Sequence, residues 1–268
     1  MIEPLESRVF LAGNPGVGFY NRDGTAATLD PQRNTWLLIN GLLSSKDDED
    51  FKQVARAISI QSPGDQVLIV DWEKLAAVIS GVQGYKNAVT AGHWVAKQLK
   101  YAGIPGSHVN LLGFSMGGTV EDTIAKDLKK VNRIIAVDPA GYGSAFAKHS
   151  NYSISFRGTM SSGPALSAHD SVLLTNLPSI GLFAHVETFS VFLTMQQRDA
   201  GISENPGENI SSIFSISNIL NGQMPAWKKK SFKGFNAKLR VKPNGFGFDY
   251  VPEDLTYISQ AGLQVDVT

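Results

Sequence analysis

The sequence predicts an α/β protein, a mostly parallel sheet with helices packed on both of its faces. Two features carry that expectation. Uninterrupted apolar runs, typical of strands buried on both sides, recur along the chain and are separated by segments with helical apolar spacing. The runs also end in small or polar residues, at the carboxyl end where such sheets carry their reactive groups.

In order, TWLLING (Thr35 to Gly41) reads as the first buried strand, closed by glycine. KDDEDFKQVARAISI follows, with acids in its first turn and apolar residues at Phe51, Val54 and Ile58, the spacing of an amphipathic helix. QVLIVDW (Gln66 to Trp72) is the second strand. Tyr85, Val89, Gly92, Ala96 and Leu99 mark one face of a long helix that stops before AGIPGS. HVNLLGFS is the third strand and GGTVEDTIAKDLKK the helix after it. RIIAVDPAG (Arg133 to Gly141) is the fourth strand and SVLLTN (Ser171 to Asn176) the fifth. Between those two, Gly141 to Ser167 carries no helical apolar stripe and is read as chain able to fold over the carboxyl ends. Beyond residue 204 polar and turn signals take over, and KLRVKPNGFGFDYV has the form of a hairpin around Asn244 and Gly245. The expected division is a main domain over 1–204 and a peripheral extension over 205–268 packed on the same domain.

At 268 residues and 28.9 kDa the chain can bury a full core. Lysine plus arginine and aspartate plus glutamate both number 24, which argues against a nucleic-acid partner. The one dense basic run, KKKSFK from Lys228, reads as a solvated face. With no cysteine, disulfides, thiol catalysis and Cys-ligated zinc are excluded. No apolar segment reaches the roughly 18 residues of a membrane span. The start, MIEPLESRVFLAG, lacks the long apolar run of a secretory signal. Its EPLESR resembles a short motif near the start of surface and exported proteins of planctomycete-like bacteria, which would imply a secreted or cell-surface location. Composition fits the cytoplasm as well, and oligomeric state is not legible.

GFSMG, Gly113 to Gly117, matches G-x-S-x-G in the setting that motif requires, an apolar strand before it and a helical pattern after it. A turn so tight needs near-absent side chains beside Ser115, and Gly113 and Gly117 supply them, while Gly118 lets the helix approach the sheet. Ser115 is therefore the candidate nucleophile. Of the five histidines, His93 lies within a helix and His108 at the wrong end of a strand. His149, in KHSNYS, reads as a surface loop residue. His169 precedes the fifth strand and His185 lies in the loop after it, so chain direction favours His185 as the base and keeps His169 as its rival. Asp138, ending the fourth strand, is the candidate acid that orients the imidazole. Asp71 is its rival, but it precedes the nucleophile, against the chain order of this architecture. The glycine in LLINGLL lets the Leu42 N–H turn toward the serine, so Leu42 and Met116 are the expected oxyanion donors.

Together these stretches resemble the pancreatic-type lipase family of α/β-hydrolases, in a compact form without cysteine. INGLL corresponds to the oxyanion turn, VDW (Val70 to Trp72) to a strand end and GYKNAV to a helix start. HVNLLGFSMGG corresponds to the nucleophile elbow, RIIAVDPAG to the acid, and HVETFSVF (His185 to Phe192) to the histidine segment. The resemblance spans Thr35 to Phe192 and implies Ser115, Asp138 and His185 as triad, with Leu42 and Met116 as oxyanion donors. Three departures stand out: Asn40 and Phe114 replace histidines common in the family, and only LPSIGLFA (Leu177 to Ala184) stands where the family has a disulfide-closed lid. An open site is expected, suited to short or medium acyl chains.

The expected function is hydrolysis of a lipid-like carboxylic ester through an acyl-enzyme. Ile180, Leu182 and Phe183 are candidates for an apolar acyl pocket, with a satellite core cluster as the equal explanation. No cofactor or metal is expected: there is no HExxH and no EF-hand loop, and the acids from Asp47 to Asp50 suit a helix N-terminus. Two other readings remain at this stage. One is a different acyl hydrolase on the same residues (phospholipase, thioesterase or polyester hydrolase), separable by a panel of acyl donors. The other is a non-catalytic binding or surface protein on the same scaffold, separable by whether Ser115 reacts with an organophosphonate.

Overall fold

The apolar runs form the centre of one ten-stranded sheet in a computed structural model that describes residues 14–158, 164–175, 177, 182–202, 235–243, 250–259 and 264–267. The strands are β1 (Gly18–Tyr20), β2 (Thr35–Ile39), β3 (Gln66–Asp71), β4 (Val109–Phe114) and β5 (Val131–Val137). They continue with β6 (Ser150–Arg157), β7 (Asp170–Thr175), β8 (Phe235–Pro243), β9 (Tyr250–Ser259) and β10 (Gln264–Val267). Their order across the sheet is β1-β3-β2-β4-β5-β6-β7-β8-β9-β10. From β3 to β8 every neighbouring pair is parallel, and β1, β9 and β10 add antiparallel edges.

The helices are α1 (Glu49–Gln61), α2 (Glu73–Ala76), α3 (Gly81–Tyr101), α4 (Gly117–Asp127), α5 (Phe146–His149) and α6 (Leu182–Asp199). Successive strand residues point to opposite faces, so each apolar run feeds two cores. Trp36, Leu38, Leu112, Ile135 and Phe156 face α1 and α6, where Phe51, Val54, Ile58, Phe189 and Phe192 meet them. Leu37, Ile39, Val70, Leu111 and Ile134 face α3 and α4, against Ala91, Val95, Leu99, Val120 and Ile124. The acids before α1 serve its N-terminus: the Asp48 carboxylate accepts from the Asp50 and Phe51 amides.

The structure departs from the sequence reading at four places. The stretch from Gly141 to Ser167 does not simply fold over the carboxyl ends: α5 and a whole strand, β6, lie within it, and β6 separates β5 from β7. His149 is not a surface loop residue. Its side chain is 13% exposed and its Nδ1 lies 3.1 Å from Asp122 Oδ1, which ties the start of β6 to α4. His185 stands in the first turn of α6 rather than in a loop. A short edge strand, β1, had no sequence signal of its own. Past residue 204, β8 pairs β7 and continues the main sheet, and β8 and β9 form the antiparallel pair expected around Asn244 and Gly245. Those two turn residues, EPLESR, the basic run and Ile180 lie outside the described residues. Among the described residues no helix is long and apolar enough to cross a membrane.

Candidate active site

β4 ends at Phe114 and α4 begins at Gly117, so the chain reverses over two residues. Ser115 takes that reversal with φ +56, a left-handed conformation that costs a side-chain-bearing residue about 1–2 kcal/mol. Three backbone hydrogen bonds hold it there. Ser115 N–H donates to Val137 O (3.0 Å), and Ser115 O accepts from Ala140 N (2.8 Å) and Gly118 N (3.0 Å). Space is as restricted as conformation. A Cβ on Gly117 would collide with the carbonyl oxygen of Ile39, and one on Gly41 would lie 2.9 Å from Ser115 Cβ. Gly113 and Gly118 are packed as closely, against Gly117 and Pro139.

Asp138 follows β5, the strand next to β4, and is fully buried with φ +39. Its backbone N–H donates to Phe156 O (2.6 Å), and its Oδ1 accepts from Gly158 N (2.9 Å). Its other oxygen, Oδ2, lies 2.5 Å from His185 Nδ1. A carboxylate in that position keeps the imidazole proton on Nδ1 and leaves the Nε2 lone pair for another partner. The His185 ring stacks on Phe114, the residue before Ser115, at a centroid distance of 4.7 Å. This is an α/β-hydrolase fold.

Ser115, Asp138 and His185 thus follow one another in the chain order in which α/β-hydrolases carry nucleophile, acid and histidine. No hydrogen bond joins Ser115 Oγ to His185 among the described residues, a link that often tightens only when substrate is bound. Among the described residues no hydrogen bond is donated by the Leu42 or the Met116 amide. The VDW stretch supports that turn: Trp72 is buried and its indole N–H donates to Asn40 O (3.1 Å).

The rivals are occupied elsewhere. Asp71 Oδ1 accepts from the Glu73 amide (3.1 Å) at the start of α2. His169 lies at the amino end of β7, where its Nδ1 accepts from Ser153 N (3.1 Å). His93 pairs with Asp127 on the outer face of the helix layer. Leu182 and Phe183 open α6, but their side chains, like Ile180, lie outside what is described.

Sequence reasoning missed Glu121. It sits on α4, fully buried, with its carboxyl against Gly113 of β4. Burial pushes its pKa well above the usual carboxylate range, Asp122 adds to the rise, and the Gly113 amide opposes it only in part. Burial thus favours the neutral carboxyl of Glu121 in the folded protein more than in the unfolded chain. With the folded pKa raised, stability is unaffected below the unfolded value near 4.5 and declines as pH rises toward the folded one. Glu121→Gln keeps the volume and removes the ionisation. It should melt about 2–4 °C or more above the parent protein at pH 8, with the gap closing at pH 4. A gap that ignores pH would mean that folding does not raise the Glu121 pKa.

No family model matches the chain. Among curated proteins, phospholipase A1 4 of the wasp Polistes dominula is 33% identical over 122 residues, covering 39% of this chain and 38% of the wasp protein. Lipoprotein lipase of Neovison vison is 32% identical over 123 residues, covering 42% of this chain and 25% of the lipase. The chain thus spans well under half the length of the relatives it matches. Among solved structures, a dienelactone hydrolase-like promiscuous phosphotriesterase from metagenomic libraries is 14% identical with TM-score 0.41, covering 68% of this chain and 98% of that one. A predicted hydrolase from Thermoplasma acidophilum is 19% identical with TM-score 0.37, covering 65% and 81%.

Proposed function

We propose that the protein is a serine hydrolase that cleaves lipid-like carboxylic esters through a covalent acyl-enzyme. The observation that carries this reading is the Asp138–His185 pair, 2.5 Å apart, lying beside a serine held in a left-handed elbow. His185 Nε2 takes the proton of Ser115 as Oγ forms a bond to the ester carbon. The carbonyl π pair moves to oxygen, where the Leu42 and Met116 amides receive the charge. Collapse of that intermediate returns the proton from His185 to the departing alcohol, and water then releases the acid by the same steps.

Short and medium acyl esters are the first substrates to assay. The similarity to a wasp phospholipase A1 makes dispersed phospholipid the second. The decisive experiment is reaction with a fluorophosphonate followed by peptide mapping, alongside turnover of p-nitrophenyl butyrate. One adduct per chain, on Ser115, is expected. An unlabelled, folded protein without esterase activity would replace this reading with that of a binding protein on a hydrolase scaffold.

A further inference from the structure

The base does not rest on Asp138 alone. Phe51 and Phe189 stack at 4.8 Å with their planes 14° apart, Phe189 meets Phe114 at 4.8 Å, and Phe114 meets the His185 imidazole at 4.7 Å and 25°. This row runs from α1 through α6 to the last residue of β4. It ends on the proposed base. Phe114 is at once the covalent neighbour of Ser115 and the ring beneath His185, so one residue sets the position of both groups.

A phenyl face carries negative quadrupole density and attracts a cation within about 6 Å. A neutral imidazole gains little from that face, whereas an imidazolium gains more. In ester cleavage the charge on His185 appears only as it takes the Ser115 proton, so the attraction grows toward the transition state, where stabilisation accelerates reaction. Among the described residues, the ring has the Asp138 carboxylate bonded to Nδ1, with the Arg157 guanidinium acting on Asp138, and Glu187 follows two residues later on α6. None of these covers the ring face that Phe114 occupies.

We propose that Phe114 is a positioning residue that stabilises the positive charge developing on His185 through its ring face. This inference rests on the proposed triad. The test replaces Phe114 with 4-fluoro-, 3,5-difluoro- and 3,4,5-trifluorophenylalanine, which drain the ring quadrupole stepwise at nearly constant size. In each protein kcat and KM for p-nitrophenyl butyrate and the rate of fluorophosphonate labelling are measured. Both kcat and the labelling rate are expected to fall stepwise, about 3- to 30-fold over the series, with KM and melting temperature unchanged. Phe114→Tyr, which keeps the face, should stay near the parent protein. A flat series in protein that still labels on Ser115 overturns the inference and leaves the triad standing. Absence of Ser115 labelling throughout overturns both.

Discussion

His185→Ala is expected to lower p-nitrophenyl butyrate turnover by at least about 10³-fold while the protein stays folded, in the range of triad knockouts. Ser115→Ala should do the same, and the double variant should lose little more than either single one, because the two groups act as a unit. The comparison that gives the result meaning is His169→Ala. His169 Nδ1 accepts from the Ser153 amide at the far end of the sheet, and Ser153 is fully buried. Removing that acceptor strands a buried donor, a cost of about 1–3 kcal/mol in stability, and should leave turnover nearly untouched. One histidine would then cost rate and the other stability. If His169→Ala abolished turnover and His185→Ala did not, the base would have to be reassigned.

Gly117→Ala is expected to be strongly destabilising and to disturb the elbow directly. Its new Cβ would strike the Ile39 carbonyl oxygen, which belongs to the backbone of a central strand and cannot turn aside. Either β2 or the start of α4 must move, at a cost of about 3 kcal/mol, the upper part of the range for overpacking. A protein of this size would then melt about 6–12 °C lower. Turnover should fall with it, since Gly117 follows Ser115 by two residues and meets the Ile39 and Asn40 carbonyls, just before Gly41 packs on Ser115. Gly81→Ala is the control: it lies in α3 with nothing within 4 Å of the new methyl group, and helix propensity favours alanine. Equal melting temperatures for both variants would mean that the elbow is looser than its contacts imply.

How much was legible in the sequence varied with what filled each strand. β2 to β5 face two apolar cores, so both sets of alternating positions are hydrophobic and the runs stand out. β6 is as buried, yet one face is built of Ser153 and Ser155, whose hydroxyls bond His169 and the Ala165 carbonyl. Only Tyr152, Ile154 and Phe156 at every second position betrayed it, and the serines read as loop. His149 was misjudged with it, because Asp122 is 27 residues away and nothing local announces the pairing. For the candidate site, chain direction favoured His185 over His169, and His185 is the one that lies against Asp138. It did not place His185 on a helix, nor Phe114 beneath its ring. Glu121 stayed hidden because, beside Asp122 and Lys126, it looks like a solvated helix face. Contacts across the sheet are what local periodicity leaves out.

The proposed catalytic groups have unequal supports. Ser115 and Asp138 are stitched into adjacent central strands by the same few backbone hydrogen bonds, so they persist or disappear with the sheet. His185 rides on a separate layer, α6, anchored to α1 by the stacked Phe189 and Phe51. Helices docked on one face open locally at lower free energy than central strands do. Warming should therefore lift the base away while nucleophile and acid remain assembled, and the intact strands give α6 a template on which to settle again. On the proposed mechanism, activity would report the closure of one layer, and turnover lost on mild heating should return on cooling for as long as the sheet survives.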